Sequence, residues 1–167
     1  MHYQILLAAL PVVVTVAVHA VGFAVLLRVI LRWHALDRSG FRPVTGLVIG
    51  MACWLMLIHL AEIAVWGIFY AWQRCMPDVG TGFYFSAVTY TTLGDDALLL
   101  PAPWRMLAPL EAMTAVLMCG LSTGLSTGLF FVLVSQWHSN WLKVKTALEP
   151  NEVPRAALRG EDDAAHP

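Results

Sequence analysis

Thr89-Tyr90-Thr91-Thr92-Leu93-Gly94-Asp95-Asp96 lies between two long apolar stretches, directly after an aromatic segment, Thr81-Gly-Phe-Tyr-Phe-Ser-Ala-Val. From Thr81 to Thr92 the chain has about 18 Å of helix at 1.5 Å per residue, roughly half a bilayer. A segment of that length enters a membrane and must return on the same side. Irregular backbone survives at membrane depth only where protein or water surrounds it, because lipid offers N–H and C=O groups no partner. The reading expected from this stretch is therefore a re-entrant helix and loop lining a cavity.

Composition agrees that the environment is a membrane. Of 167 residues, 59% are hydrophobic and only 13% charged, with a mean hydropathy of +0.68. That leaves too little polar surface for an ordinary soluble domain. Three segments are long enough to span: Ile5 to Leu31, Val44 to Trp72, and Met106 to Trp137. The first lacks basic residues at its start and runs too long for the core of a cleaved signal, so it is read as a retained helix.

Basic residues collect in Arg28, Arg32, Arg38 and Arg42 after the first span and in Lys143, Lys145, Arg155 and Arg159 after the third. The positive-inside rule makes those segments cytoplasmic and turns the N-terminus and the interval around Asp95 outward. Trp33, Trp137 and Trp141 then mark the inner interface, and Trp72 and Trp104 the outer one. The expected organisation is an outer N-terminal helix (1–34), a basic cytoplasmic loop (35–43), a module of two spans with the short helix between them (44–141), which the resemblance given below makes the pore module, and a disordered cytoplasmic tail (142–167). Within the module, the short helix occupies 81–92, the loop 91–96 and the inner helix 105–137.

The order of aromatic half-helix, Thr-rich end, glycine, acidic residues and a helix opening with Trp104-Arg105 resembles the pore loop of potassium-channel-type cation channels. The resemblance covers about 61–134. His59-Leu-Ala-Glu62 and Leu110-Glu111-Ala112 also look like a subset of bacterial members. The family's filter reads Thr-Val/Leu-Gly-Tyr-Gly-Asp; here Asp95, Asp96 and Ala97 fall on its last three positions. The resemblance thus implies an all-α membrane protein with three transmembrane helices plus a re-entrant pore helix and filter loop, assembled as a homotetramer in a bacterial inner membrane. It also implies that potassium selectivity is lost.

On that basis Thr91, Thr92, Leu93, Gly94, Asp95 and Asp96 are the expected ion-binding residues. Four copies of Asp95 and Asp96 around one axis place eight carboxylates in a small radius, which need counterions and favour cations of high charge density. The permeant ions expected are K+, Na+ or Ca2+, with weak or divalent-leaning selectivity and no resident cofactor. An alternative is that the double Asp caps a turn and the chain is a non-conducting membrane scaffold.

Glu62 and His59, three residues apart on one helical face, are expected to brace the pore helix or to bond each other. Glu111 is expected behind the filter, accepting hydrogen bonds from its amides. Phe83, Tyr84, Phe85 and Tyr90 are read as packing. Gly120, Gly124 and Gly128 form a small-residue stripe suited to helix packing or gating. His19 is read as a packing histidine, with haem ligation by His19 and His59 as a remote alternative. Cys53, Cys75 and Cys119 lack ligand spacing and are read as small packing residues, with an intersubunit bridge open only to Cys75. No phosphate-binding loop, zinc-site spacing or nucleophile triad is present, so neither enzyme activity nor a nucleic-acid or small-molecule partner is expected; the expected partners are the bilayer and copies of the chain.

Overall fold

A computed structural model describes residues 2–34 and 41–148, with side chains over 7–32 and 45–147. The expectations resting on Trp33, Arg38, Arg42, Arg155 and Arg159 lie outside these side chains, as do those for residues 35–40 and 149–167. Four α-helices follow one another: α1 (His2–His34), α2 (Phe41–Trp72), α3 (Val79–Tyr90) and α4 (Leu107–Leu148), with one 3-10 turn at Ala102–Trp104 before α4. No strand occurs among the described residues. Three stretches, Leu7–Arg32, Thr45–Trp72 and Ala102–Ala147, are long and apolar enough to cross a membrane. The chain divides into two compact units, Met1–Ser122 and Thr123–Pro167.

Helix ends follow local chemistry more closely than hydropathy suggests. The short helix starts at Val79, two residues before the expected Thr81. The cause is Asp78, whose Oδ1 accepts from the Thr81 N–H at 2.9 Å while Oδ2 accepts from the Thr81 hydroxyl at 2.6 Å. It ends at Tyr90, because Thr92 turns to a φ of 60°. At the end of α2, Arg74 takes the left-handed position (φ 51°) that glycine usually fills. The Cys75 N–H donates to the Tyr70 carbonyl and the Arg74 N–H to that of Ala71, a Schellman closure without glycine.

Two further boundaries differ from expectation. Residues 41–43 belong to α2, not to the basic loop; Pro43 in the first turn is compatible with this, because the N–H it lacks would have no helical acceptor there. The last helix does not stop at Trp137 but continues to Leu148, so 142–148 are helical and not disordered tail. Loss of apolar character ends a span but not a helix. Here no Gly or Pro intervenes before Pro150, and Lys145 Nζ sits 5.7 Å from the Trp141 ring centroid, one turn back.

Within the first unit, α2 is the central element, packed against both α1 and α3. The core is aromatic: Trp66, Phe69, Tyr70 and Phe85 are buried with Cys75, Met76, Leu100 and Leu107. Tyr70 meets Phe85 edge-on at 5.3 Å between centroids, and Phe69 meets Trp104 likewise at 6.1 Å. Close approach of α3 to α2 rests on two glycines. A Cβ at Gly67 would lie 3.0–3.1 Å from Phe83, and one at Gly82 would lie 3.3 Å from the Gly67 carbonyl. The face of α1 turned inward carries Pro11, Thr15, His19, Leu26 and Ile30, spaced at helical intervals.

Candidate functional site

The segment after α3 is shaped by its backbone. The Thr91 N–H donates to the Ala87 carbonyl (3.1 Å), the Thr92 N–H to Thr89 (3.0 Å) and the Gly94 N–H to Val88 (3.0 Å), so the chain doubles back over the helix end. Thr92 and Gly94 both have left-handed backbone, φ 60° and 69°. Glycine accepts that conformation without a Cβ penalty, whereas a β-branched residue does not; Thr92 is a strained position of a kind that clusters at functional sites. Thr91, Thr92, Leu93 and Gly94 are all exposed within the single chain, Leu93 at 79%.

The two acidic residues are not equivalent. Asp95 Oδ1 accepts from the Ala97 N–H at 2.9 Å and its carbonyl from the Leu98 N–H at 3.2 Å, so its side chain closes a local turn. Asp96 is exposed.

Behind α3 lie two buried polar clusters. In the first, Glu111 of α4 accepts from the Tyr70 hydroxyl of α2 at 2.6 Å and from the Ser86 hydroxyl of α3 at 2.6 Å, with Ser86 Oγ also 2.9 Å from the Ile63 carbonyl. Glu111 is fully buried. It thus meets hydroxyls, not the filter amides expected of it. Its position behind the short helix is retained, but α3, with Ser86, faces it where the loop was expected to.

The second cluster joins four helices around Glu62. His19 Nδ1 lies 2.8 Å from Oε1, His59 Nδ1 lies 3.0 Å from Oε2, and the Tyr90 hydroxyl donates to Oε2 and stands 3.0 Å from His59 Nδ1. Ser122 Oγ of α4 is 3.4 Å from His19 Nε2 and 3.3 Å from His59 Nε2. His59 and Glu62 therefore bond each other and both meet Tyr90 at the end of α3, where bonding and bracing were expected as alternatives. His19, read as packing, is a member of the site. So is Tyr90, whose hydroxyl in an apolar setting is itself a sign that a polar partner is near.

Other expected residues are placed apart. Among the described residues, a Cβ at Gly120, Gly124 or Gly128 would meet nothing within 4 Å. Among the aromatics of α3, Phe85 and Tyr90 are buried, whereas Tyr84 is 54% exposed. Cys75 is buried in the aromatic core, out of reach of a partner, and burial pushes its thiol up; Cys53 and Cys119 are exposed and do not pack the core. Asp78, at the other end of α3, has its carboxyl held below the usual range by the Thr81 hydroxyl and, secondarily, the Thr81 N–H.

Three long apolar helices, with a short capped helix and a left-handed loop between the second and third, fit a membrane protein. Residues 58–132 match the family model described as "Ion channel", so that segment is similar to this family. Neither the curated proteins nor the solved structures give a match.

Proposed function

We propose that the chain is the subunit of a homotetrameric cation channel of a bacterial inner membrane, N-terminus outside and C-terminus cytoplasmic, with weak or divalent-leaning selectivity. The observation that carries this reading is the stretch Thr91–Asp96 at the end of α3, within the ion-channel family segment. Left-handed backbone at Thr92 and again at Gly94 supports a filter role, since such conformations let successive carbonyls face one side. In this reading α3 is re-entrant, and its C-terminal end directs the negative pole of its dipole at a cation. Thr91 to Gly94 are exposed in the single chain because they face the shared axis. Leu93 and the glycines Gly120, Gly124 and Gly128 face neighbouring copies or the pore.

Selectivity follows from charge. Asp96, projecting freely, supplies most of the acidic ring, and Asp95 keeps the turn that presents it. Glu62, His59 and Glu111 hold α3 from behind. Basic residues in Arg28, Arg32, Lys143 and Lys145 give the orientation.

One observation favours a second reading, a non-conducting scaffold. The Asp95 carboxylate is engaged by the Ala97 amide, as a residue retained for turn closure would be. Liposome flux separates the two. Reconstituted wild type is expected to pass potassium and sodium, and calcium or magnesium at least as well, with Asp96→Asn cutting divalent flux by about tenfold and Asp95→Asn by less. Flux of no ion would overturn conduction; unchanged flux in the double variant would overturn the acidic ring.

A further inference from the structure

The cluster around Glu62 holds more ligand chemistry than bracing needs. His19, His59 and Glu62 each offer one ligand atom, and these atoms all lie within 4.8 Å of one another. They come from α1 and α2 and are buried or half-buried. Two imidazole nitrogens and one carboxylate form the donor set of open zinc sites, which leave a fourth position for water or another oxygen. His19 Nδ1 faces one carboxylate oxygen and His59 Nδ1 the other, at 2.8 and 3.0 Å. Ligand atoms around a tetrahedral ion with bonds of 2.0–2.1 Å stand about 3.3 Å apart, so the two imidazole–carboxylate distances are within a few tenths of an ångström of a bound geometry, while the set, lying within 4.8 Å, closes on a metal by a side-chain shift of about an ångström.

A hydrogen-bond count points the same way. With Nδ1–H of both rings donating to Glu62, both Nε2 atoms are acceptors, and Ser122, with a single hydroxyl hydrogen between them, satisfies only one. With a cation on both Nδ1 atoms, each ring carries its hydrogen on Nε2, and the two lone pairs of Ser122 Oγ accept from both. That is the outer-shell arrangement that orients metal-bound histidines. Tyr90, its hydroxyl 3.0 Å from His59 Nδ1, stands beside the fourth position.

We infer that His19, His59 and Glu62 form an intrasubunit site for a divalent transition-metal cation, zinc being the best match, with Ser122 orienting the imidazoles and Tyr90 at the open position. The ion would fasten α1 to α2 beside the last residue of α3, immediately before Thr91. The site lies within one chain, off the residues assigned to permeation, and does not depend on whether the pore conducts.

The test uses the full chain in detergent micelles, stripped with chelator, loaded with Zn2+ or Co2+ and desalted. Wild type is expected to retain about one ion per chain, and its Co2+ form to show the ligand-field bands of a low-coordinate nitrogen and oxygen site. Retention in His19→Gln/His59→Gln is expected to fall at least about tenfold, with an unchanged elution profile. Because the Co2+ spectrum is read on wild type, a variant that fails to fold does not blunt the test. Wild type holding less than about a tenth of an ion per chain, or showing only octahedral aqueous-type bands, would overturn the site. A folded double variant that keeps the wild-type amount would also overturn it, by placing the ion at another histidine.

Discussion

At Gly94 the constraint is conformational and not spatial. Its φ is 69° and a Cβ there would meet nothing within 4 Å, so alanine has room but not the right backbone. Left-handed geometry costs an L-residue about 1–2 kcal/mol. Gly94→Ala is therefore expected to lower the thermal midpoint of the solubilised protein modestly and to reduce flux far more, since the same few atoms set the loop. A variant with wild-type flux would show that the loop tolerates a different backbone and would argue against a filter. Thr92 already bears a strain of about 1–3 kcal/mol without glycine's freedom.

Residue-scale reading of the sequence reached only part of this site. Spacing alone put His59 and Glu62 on one face, because i and i+3 are neighbours on any helix. It could not supply His19, which lies 43 residues from Glu62 and on another helix. For Glu111, burial was legible from its depth in an apolar run, but its partners Tyr70 and Ser86 come from separate helices, and no local pattern links them. The difference between Asp95 and Asp96 was also hidden, since which carboxylate turns back onto the chain depends on backbone angles that two identical residues do not reveal.

Among the elements, α3 has the most exposed control point. Asp78 caps it through Thr81, and its carboxyl is held below the usual range by those bonds. A group whose folded pKa is depressed adds stability above its unfolded value, about 3.9 for Asp, and loses it as pH falls through the lower folded value. Wild type is thus expected to lose stability below about pH 4 through this group, on top of other acid effects. Asp78→Asn should keep the cap yet flatten that component, whereas Asp78→Ala should lower the thermal midpoint at neutral pH as well. Thermal scans of the three proteins across pH 3 to 7 check it, and identical profiles would remove the cap from the account.

The three spans were legible from hydropathy, and the break after Trp72 revealed a short helix. What hydropathy cannot report is where a helix stops once it leaves the apolar region, and so α4 runs past Trp137 to Leu148. Nor does composition disclose where two helices touch. Among the described residues a Cβ on any of three glycines in a visible row would meet nothing within 4 Å, while Gly67 and Gly82, unremarkable in the sequence, are where α2 and α3 leave no room for one.

For the whole molecule, the decisive property is what a single copy leaves uncovered. Leu93, Leu99, Met106, Met113 and Leu117 are 58–79% exposed, flanking the candidate filter and continuing along α4. Apolar surface at the start of α4 suits lipid, and at the loop it is the surface that the proposed neighbouring copies would cover. Native mass spectrometry from mild detergent is expected to give four copies of the 18.4 kDa chain. A monomer stable under those conditions would leave the filter stretch without an axis.

The reach of His19 also bears on how such proteins are cut into parts. The family match begins at residue 58, beyond all of α1 and the first half of α2. Yet a buried carboxylate inside that match takes one of its bonds from α1. A chain trimmed to the matched boundaries would keep every residue of the loop, yet leave Glu62 Oε1 without the imidazole that faces it, so the limits of the recognisable segment are not the limits of the folding unit.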